Sequence, residues 1–193
     1  MRNRAASLIV ISLFGYAALS GIVRAEDTTP APELALPSST PNASGLAVVQ
    51  ADKLLPFLPK PPEGWTAEIA QGATTEIEDL KLTTTQRDYH KGGEDNAPSA
   101  SVSIIDFAGS QSYKEATTAV WKVSSETDEG YDKPVEIDGI AGYEHFDKAA
   151  KGSSLSLIVA KRYFVQVELA NEDPKQLREW IKRIDLKKLA ELK

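Results

Sequence analysis

Alternating apolar and polar residues predict the strands of this chain. Apolar residues alternate with serines over 99–107, so a strand there has one apolar and one polar face. Asp138-Gly139 separates two further apolar segments and is the commonest signal for a two-residue hairpin. The polar segment 71–80 stays unassigned, and 124–132 is predicted as a loop. Strands are predicted at 65–70, 81–90, 99–107, 134–137, 140–146, 153–160 and 163–170.

The hairpin between the last two predicted strands permits a prediction of register. A two-residue turn would pair apolar with polar positions across the hairpin. A three-residue turn at 160–162 pairs Leu157 with Val165 and Leu155 with Val167, which places the apolar residues on one shared face. Burial of a shared face selects the register, so the three-residue turn is predicted, although the turn contains no glycine.

Apolar residues at helical spacing predict two main helices and a shorter one. A short helix within 47–59 would end at Pro56. Ser110 can cap a helix over 111–123, and Asp173-Pro174 starts the last helix. A second apolar pattern after residue 185 extends the last helix or follows a kink. The stripes expected to face the core are Tyr113, Ala116, Thr117, Val120 and Trp121 on one helix, and Leu177, Trp180, Ile181 and Ile184 on the other.

The order of these elements defines a fold class. Three strands, a helix, four strands and a final helix follow one another, mostly through hairpin connections. We therefore expect an α+β fold, in which a mostly antiparallel sheet is packed by two main helices.

The first 45 residues predict export and a linker. Arg2 and Arg4 precede an uncharged apolar run that ends near Ala25, which is typical of a secretory signal peptide over 1–25. An uncleaved anchor facing the periplasm is the alternative. Residues 26–45 contain four prolines and are predicted as a linker, which leaves 46–193 as a single domain. Either way, the domain would be secreted or periplasmic.

The order of elements resembles the PsbP/Mog1-like fold over about residues 60–185. The features that carry the resemblance are Gly64-Trp65 at the first strand, the serine-alternating strand followed at once by a helix, and the segment 142–146 after the Asp138-Gly139 hairpin. The segment 58–65 is also similar to the Leu-Pro-x-x-Pro-x-Gly-Trp start of a group of uncharacterised secreted bacterial proteins. The resemblance implies an accessory or scaffold protein that binds other proteins, and it implies no catalytic residue.

Composition and motifs exclude several classes of function. The chain has no cysteine and two histidines, so thiol chemistry and zinc–thiolate sites are excluded and no cofactor is expected. A net charge of −6 argues against nucleic-acid binding. No phosphate-binding loop, nucleophile elbow or His-Glu-x-x-His motif is present. A dispersed Ser/His/Asp site is the enzymatic alternative.

Two polar clusters could hold a divalent cation, but solvated surface residues are the preferred interpretation, because the regular spacing of a calcium loop is absent. The first cluster lies at the end of a predicted strand and in the loop 91–98, and consists of Asp88, His90, Glu94, Asp95 and Asn96. The second consists of Glu144, His145 and Asp147, of which the last two share a strand face.

The three tryptophans are interpreted as core residues rather than as a ligand pocket. Trp121 and Trp180 lie on the apolar stripes of their helices, and Trp65 starts a strand.

The C-terminal segment is basic. Residues 174–193 carry seven Lys or Arg and three acids, whereas 46–173 carry 12 and 22. A solvated helix face is the preferred interpretation, and contact with anionic lipid or an acidic partner is the alternative. The residues for such a contact are Lys182, Arg183, Lys187 and Lys188.

The sequence therefore predicts a secreted or periplasmic, non-enzymatic domain that binds an envelope protein or a small ligand. A membrane-surface protein acting through its basic C-terminal segment, and an enzyme with a dispersed active site, are the alternatives. If partner binding is right, an exposed apolar patch or an unpaired sheet edge is expected.

Overall fold

A computed structural model describes residues 46–77, 80–93 and 96–193. The predicted signal peptide and linker lie outside these ranges. Among the residues described, no helix is both long enough and apolar enough to cross a membrane.

The described residues form an α+β fold with one antiparallel sheet, as expected. The strands are β1 (Thr66–Ala67), β2 (Gln71–Ile77), β3 (Leu80–His90), β4 (Ser99–Asp106), β5 (Ser125–Thr127), β6 (Gly130–Ile137), β7 (Ile140–Asp147), β8 (Gly152–Val159) and β9 (Tyr163–Ala170). The helices are α1 (Ala51–Leu54), α2 (Gln111–Thr118), α3 (Gln176–Ile181) and α4 (Leu186–Glu191), with 3-10 turns at Leu55–Phe57 and Ala119–Lys122. The strand order is β1-β3-β4-β9-β8-β7-β6-β5, and β2 pairs with β3 beside β1.

The three-residue turn between β8 and β9 is confirmed. Leu157 pairs with Val165 and Leu155 with Val167, and all four side chains are buried. Ala160 and Lys161 supply the positive φ angles of the turn, 51° and 56°, in place of glycine. Burial of the shared apolar face therefore sets the register despite a strained turn.

One sheet face, here called the covered face, carries the main core. Its residues from β3, β4, β8 and β9 pack against α1, α3 and α4. Trp180 lies at the centre of this contact, with its ring 4.7 Å from that of Tyr89 and 5.2 Å from that of Trp65. The buried members that α3, α4 and the turn between them contribute are Leu177, Trp180, Ile181, Ile184, Leu186 and Leu189.

The opposite sheet face, here called the open face, is only partly covered. It carries Ile105 and Phe164, which pack with Phe107 in a second, smaller cluster. Tyr113 and Trp121, from α2 and the turn after it, lie over this cluster and are only half-buried. Trp180 is thus a core residue as predicted, whereas Trp121 borders an open surface.

The prediction of a core stripe on α2 holds only in part, because Tyr113 and Trp121 pack against the smaller cluster but the stripe as a whole is not buried. No residue of α2 is buried, Ala116 is exposed, and Val120 in the following 3-10 turn is 57% exposed. Of the five predicted stripe residues, Tyr113, Thr117 and Trp121 are half-buried, while Ala116 and Val120 are exposed. The helix also gives way to a 3-10 turn at Ala119, before the predicted end at residue 123.

Other differences lie at the edges of the sheet and in the helices. The predicted strand 65–70 is interrupted, because three residues (68–70) lie opposite two residues of β3, which is a β-bulge. The unassigned segment 71–80 forms β2 and the start of β3, and the predicted loop 124–132 contains β5. The C-terminal segment is two short helices, because Asp185 caps a new helix by accepting a bond from the Lys188 N–H (2.9 Å).

A buried ion pair fastens the start of the domain to the sheet. Asp106 is fully buried, and its two carboxylate oxygens accept bonds from Arg162 Nε (2.9 Å) and Nη2 (2.8 Å). The same carboxylate accepts bonds from the backbone N–H groups of Val49 (2.6 Å) and Ala108 (2.8 Å). Arg162 also donates to the carbonyl of Ala47 (2.8 Å). We call this set the Asp106–Arg162 clip.

Candidate binding face

The open face carries an apolar zone at the end nearest α2. Ile105 and Phe164 pair directly across β4 and β9 and are buried next to Tyr113 and Trp121. Beyond them, the turn after α2 presents Val120, 57% exposed, and Val123, 54% exposed. Exposed apolar side chains of this size beside an incompletely covered sheet form a surface suited to binding.

A polar row crosses the same face nearer the other end of the strands. The register places Asp88 opposite Ser101, Ser101 opposite Glu168, and Glu168 opposite Ser154. The row continues through the pairs Ser154–His145 and His145–Asp132. Because side chains at directly paired positions point to the same face, six polar residues from six neighbouring strands share one line. The six are Asp88, Ser101, Glu168, Ser154, His145 and Asp132.

A groove of about 440 Å³ follows this row. Its lining includes Asp88, Glu168, Ser154 and both histidines, His90 and His145. Each histidine is held by an acid: His90 Nε2 lies 3.1 Å from Glu68 Oε1, and His145 Nδ1 lies 2.8 Å from Asp132 Oδ1. These pairs fix the imidazole rings at the sides of the groove.

Glu168 differs from the other acids of the groove. Glu168 is exposed by its surface area, but the neighbouring strands screen part of its carboxyl group from water. No cation or hydrogen-bond donor contacts its carboxylate within the described ranges. Burial therefore raises the pKa of Glu168, and the nearby negative charge of Asp88 raises it further. Asp88 itself accepts a bond from the neutral Gln86 amide (3.1 Å). The groove thus holds two carboxylates that lack a positively charged partner among the residues described.

The first predicted cation cluster is divided by the structure. Asp88 and His90 share the open face on β3, but they bond to Gln86 and Glu68 respectively. Glu94 and Asp95 lie outside the described residues. Across 46–77, 80–93 and 96–193, no group of three or more His, Asp or Glu side chains could hold a metal ion.

The second predicted cluster is split between the two faces. His145 and Asp147 point to the open face, while Glu144 is 5% exposed on the covered face. Glu144 accepts a bond from the Tyr131 hydroxyl (2.6 Å) and pairs with Arg178 (3.1 Å). Burial raises the pKa of Tyr131, and its bond to Glu144 raises it further. Glu144 therefore joins β7 to α3 and is not part of the groove.

Asp132, His145 and Ser154 follow one another in the order of a hydrolase triad. However, no hydrogen bond joins Ser154 to His145 in the described part of the chain. The strands on both sides use their backbone N–H groups in the sheet ladder, in the plane of the sheet, so these groups do not point at an oxyanion above Ser154. Among the described residues, Asp132 and His145 are therefore linked to each other but not to Ser154.

The four predicted basic contact residues lie elsewhere. Lys182, Arg183, Lys187 and Lys188 are all exposed on the outer sides of α3 and α4. Lys182 pairs with Glu179 (2.7 Å). Arg183 and Lys188, together with Lys60, line a cleft of about 310 Å³.

Sequence reasoning missed Ser101, Ser154, Glu168 and Asp132 as members of one site. Their alternation within each strand was a signal for a polar face, but only the register of six strands brings them into one row. Comparison with protein-family models, with curated proteins and with solved structures finds no match for this chain.

Proposed function

We propose that this chain is a non-enzymatic binding domain of PsbP/Mog1-like fold, secreted or periplasmic, that holds an extended segment of an envelope protein on its open face. The observation that carries the proposal is the pairing of two features on that face: an exposed apolar zone and a groove with two carboxylates lacking a cationic partner. The antiparallel sheet and the order of its strands and helices support the fold assignment.

The spacing of these features indicates the chemistry of the partner. Ile105 in the apolar zone and Ser101 in the polar row are four positions apart on β4, a distance of about 13 Å. An extended segment with an apolar side chain and a Lys or Arg about four residues apart would reach both. The positive charge would pair with Glu168 and Asp88, and the apolar side chain would cover Val120 and Trp121.

In-cell cross-linking with a C-terminally tagged full chain tests the proposal, with mass spectrometry identifying both the partner and the N-terminus of the recovered chain. We expect one envelope protein to be captured by the wild type. Val120→Asp should abolish the capture, and Glu168→Gln should weaken it. Ile69→Asp is the matched control, because Ile69 is 88% exposed but lies in the bulge at the β1 edge.

Two outcomes would overturn this function. Capture of the same protein by all four chains would place the contact elsewhere, and no stoichiometric partner for the wild type would leave the face without a protein ligand. In the second case, small-molecule binding becomes the working hypothesis, and a thermal-shift screen with the wild type and Glu168→Gln tests it.

Membrane contact through the basic residues is the second candidate. The exposure of Lys182, Arg183, Lys187 and Lys188 favours it. The apolar residues of α3 and α4 are buried in the core, so only the charges would contact lipid. Salt-sensitive binding to vesicles containing phosphatidylglycerol, lost when all four charges are removed, would support this candidate, and no binding at low salt would exclude it.

A further inference from the structure

We propose that the outer edge of β2 is a docking site for a second copy of this chain, which pairs with it strand to strand. The proposal starts from a difference between the two edges of the sheet. An exposed strand edge presents unpaired N–H and C=O groups, and proteins usually protect it with prolines, bulges, lysines or short strands.

The edge formed by β5 and β6 is protected. β5 has three residues, and beyond it β6 contains Pro134, whose nitrogen has no hydrogen to offer an incoming strand. The Tyr143 hydroxyl donates to the carbonyl of Val123 (3.0 Å), which holds the segment after α2 beside this edge. A further strand would therefore pair poorly here.

The edge formed by β2 lacks these features. Its sequence over Gln71–Ile77 contains no proline, lysine or arginine, and its one charge is Glu76. All side chains from Gln71 to Glu76 are exposed. The bulge that interrupts this edge lies before β2, at 68–70, and leaves all seven residues of β2 in register with β3. Among the described residues, only β3 pairs with the β2 backbone.

The outward-facing groups can be assigned from the register. The Glu68 N–H donates to the carbonyl of Asp88 (2.8 Å), so the backbone of Asp88 faces this edge. The backbone N–H and C=O groups of every second residue of β3 then point toward the same edge. These residues pair with Gln71, Ala73 and Thr75. Gly72, Thr74 and Glu76 consequently point their N–H and C=O groups away from β3.

A contact on the covered face supports β2 without hiding its edge. A Cβ on Gly72 would lie 2.8 Å from the Cβ of Ala51, so α1 packs directly on the flat face of the strand at this point. The strand is thus held in place from one face while its outer backbone groups remain available for pairing.

The sequence of β2 is compatible with pairing to itself. An antiparallel two-fold arrangement that uses all seven residues places Thr74 opposite Thr74 of the second copy, and Gly72 opposite Glu76. The two Glu76 side chains are then apart, and each faces a residue without a side chain. The outward groups of Gly72, Thr74 and Glu76 on both copies would form about six backbone hydrogen bonds. This inference concerns the sheet edge and is independent of the ligand proposed for the open face.

Sedimentation velocity on the protein expressed from the full sequence tests the pairing. We expect a concentration-dependent monomer–dimer equilibrium. Thr74→Pro removes an outward N–H from both copies and should weaken association by about tenfold or more. Glu136→Pro is the matched control, because Glu136 is exposed, and its N–H also points outward, on the protected β6 edge. It should leave the dimerisation constant within about twofold of the wild type.

Three additional variants keep the test decisive. Far-UV circular dichroism shows whether Thr74→Pro is folded; if it is not, Thr75→Lys places a charge on the same edge and replaces it. Because the chain has no cysteine, Thr74→Cys should form an intermolecular disulfide under mild oxidation, whereas Glu136→Cys should not. A wild type that stays monomeric at high concentration, or a dimer that survives both edge variants, would overturn the proposal.

Discussion

Asp106→Asn should remove much of the stability of this domain. The carboxylate accepts four hydrogen bonds, two from Arg162 and one each from the backbone of Val49 and Ala108. An amide of the same shape keeps one acceptor oxygen, but it turns an NH₂ group toward two donors and leaves the Arg162 charge without its partner. Removing one member of a buried ion pair costs about 3–5 kcal/mol.

This loss is large for a domain of ordinary stability, about 5–15 kcal/mol. The midpoint of thermal unfolding should fall by roughly 6–20 °C. Urea unfolding followed by tryptophan fluorescence measures the change, and Asp132→Asn is the control. Asp132 pairs with His145 at the surface, so its loss should cost no more than about 1 kcal/mol.

A double-mutant cycle tests whether Asp106 acts through Arg162. Arg162→Met alone should also be strongly destabilising, and the double variant should cost at least about 1 kcal/mol less than the two single costs combined. A loss below about 1 kcal/mol for Asp106→Asn, or simple additivity with Arg162→Met, would refute the reasoning.

Three further predictions concern the sheet. Gly142→Ala should lower the free energy of unfolding in urea by about 1–3 kcal/mol, because the new Cβ would lie 2.5 Å from a backbone carbonyl oxygen. Gly152→Ala is the control and should be nearly neutral, because the space around its Cβ is open. Because the pKa of Glu168 is raised in the folded state, the protein loses stability as pH rises from 4.5 through that pKa. Glu168→Gln should remove this loss from a pH series of melting temperatures, and an unchanged slope would contradict the prediction. Burial raises the pKa of Tyr89 to about 12, and its hydroxyl donates to the carbonyl of Pro59 (2.7 Å). Tyr89→Phe should therefore cost about 1 kcal/mol and should shift the onset of alkaline unfolding to higher pH.

The sequence predicted the centre of the sheet well, because apolar and polar residues alternate where one face of a strand is buried. The pairs Leu157–Val165 and Leu155–Val167 followed from the requirement that one face be apolar. The β2 edge was missed for the opposite reason: residues 71–76 are all exposed, so no alternation of buried and exposed positions marks this part of the strand.

The apolar stripe over 111–123 shows a second limit. The spacing predicted a helix with one apolar side, but it did not show how much of that side would be buried. In the structure, Tyr113 and Trp121 pack against a cluster of three buried residues, and Val120 stays exposed. The polar row was unpredictable for a related reason, because it depends on the order of strands that are distant in the sequence.

The Asp106–Arg162 clip also has a mechanical consequence. The described domain starts at residue 46. The Ala47 carbonyl accepts a hydrogen bond from Arg162 and the Val49 N–H donates one to Asp106, so both residues are tied to the clip at the ends of β4 and β9. These two strands are neighbours in the interior of the sheet. A pulling force applied through the predicted linker would therefore load two central strands together, rather than peel an outer strand away one bond at a time.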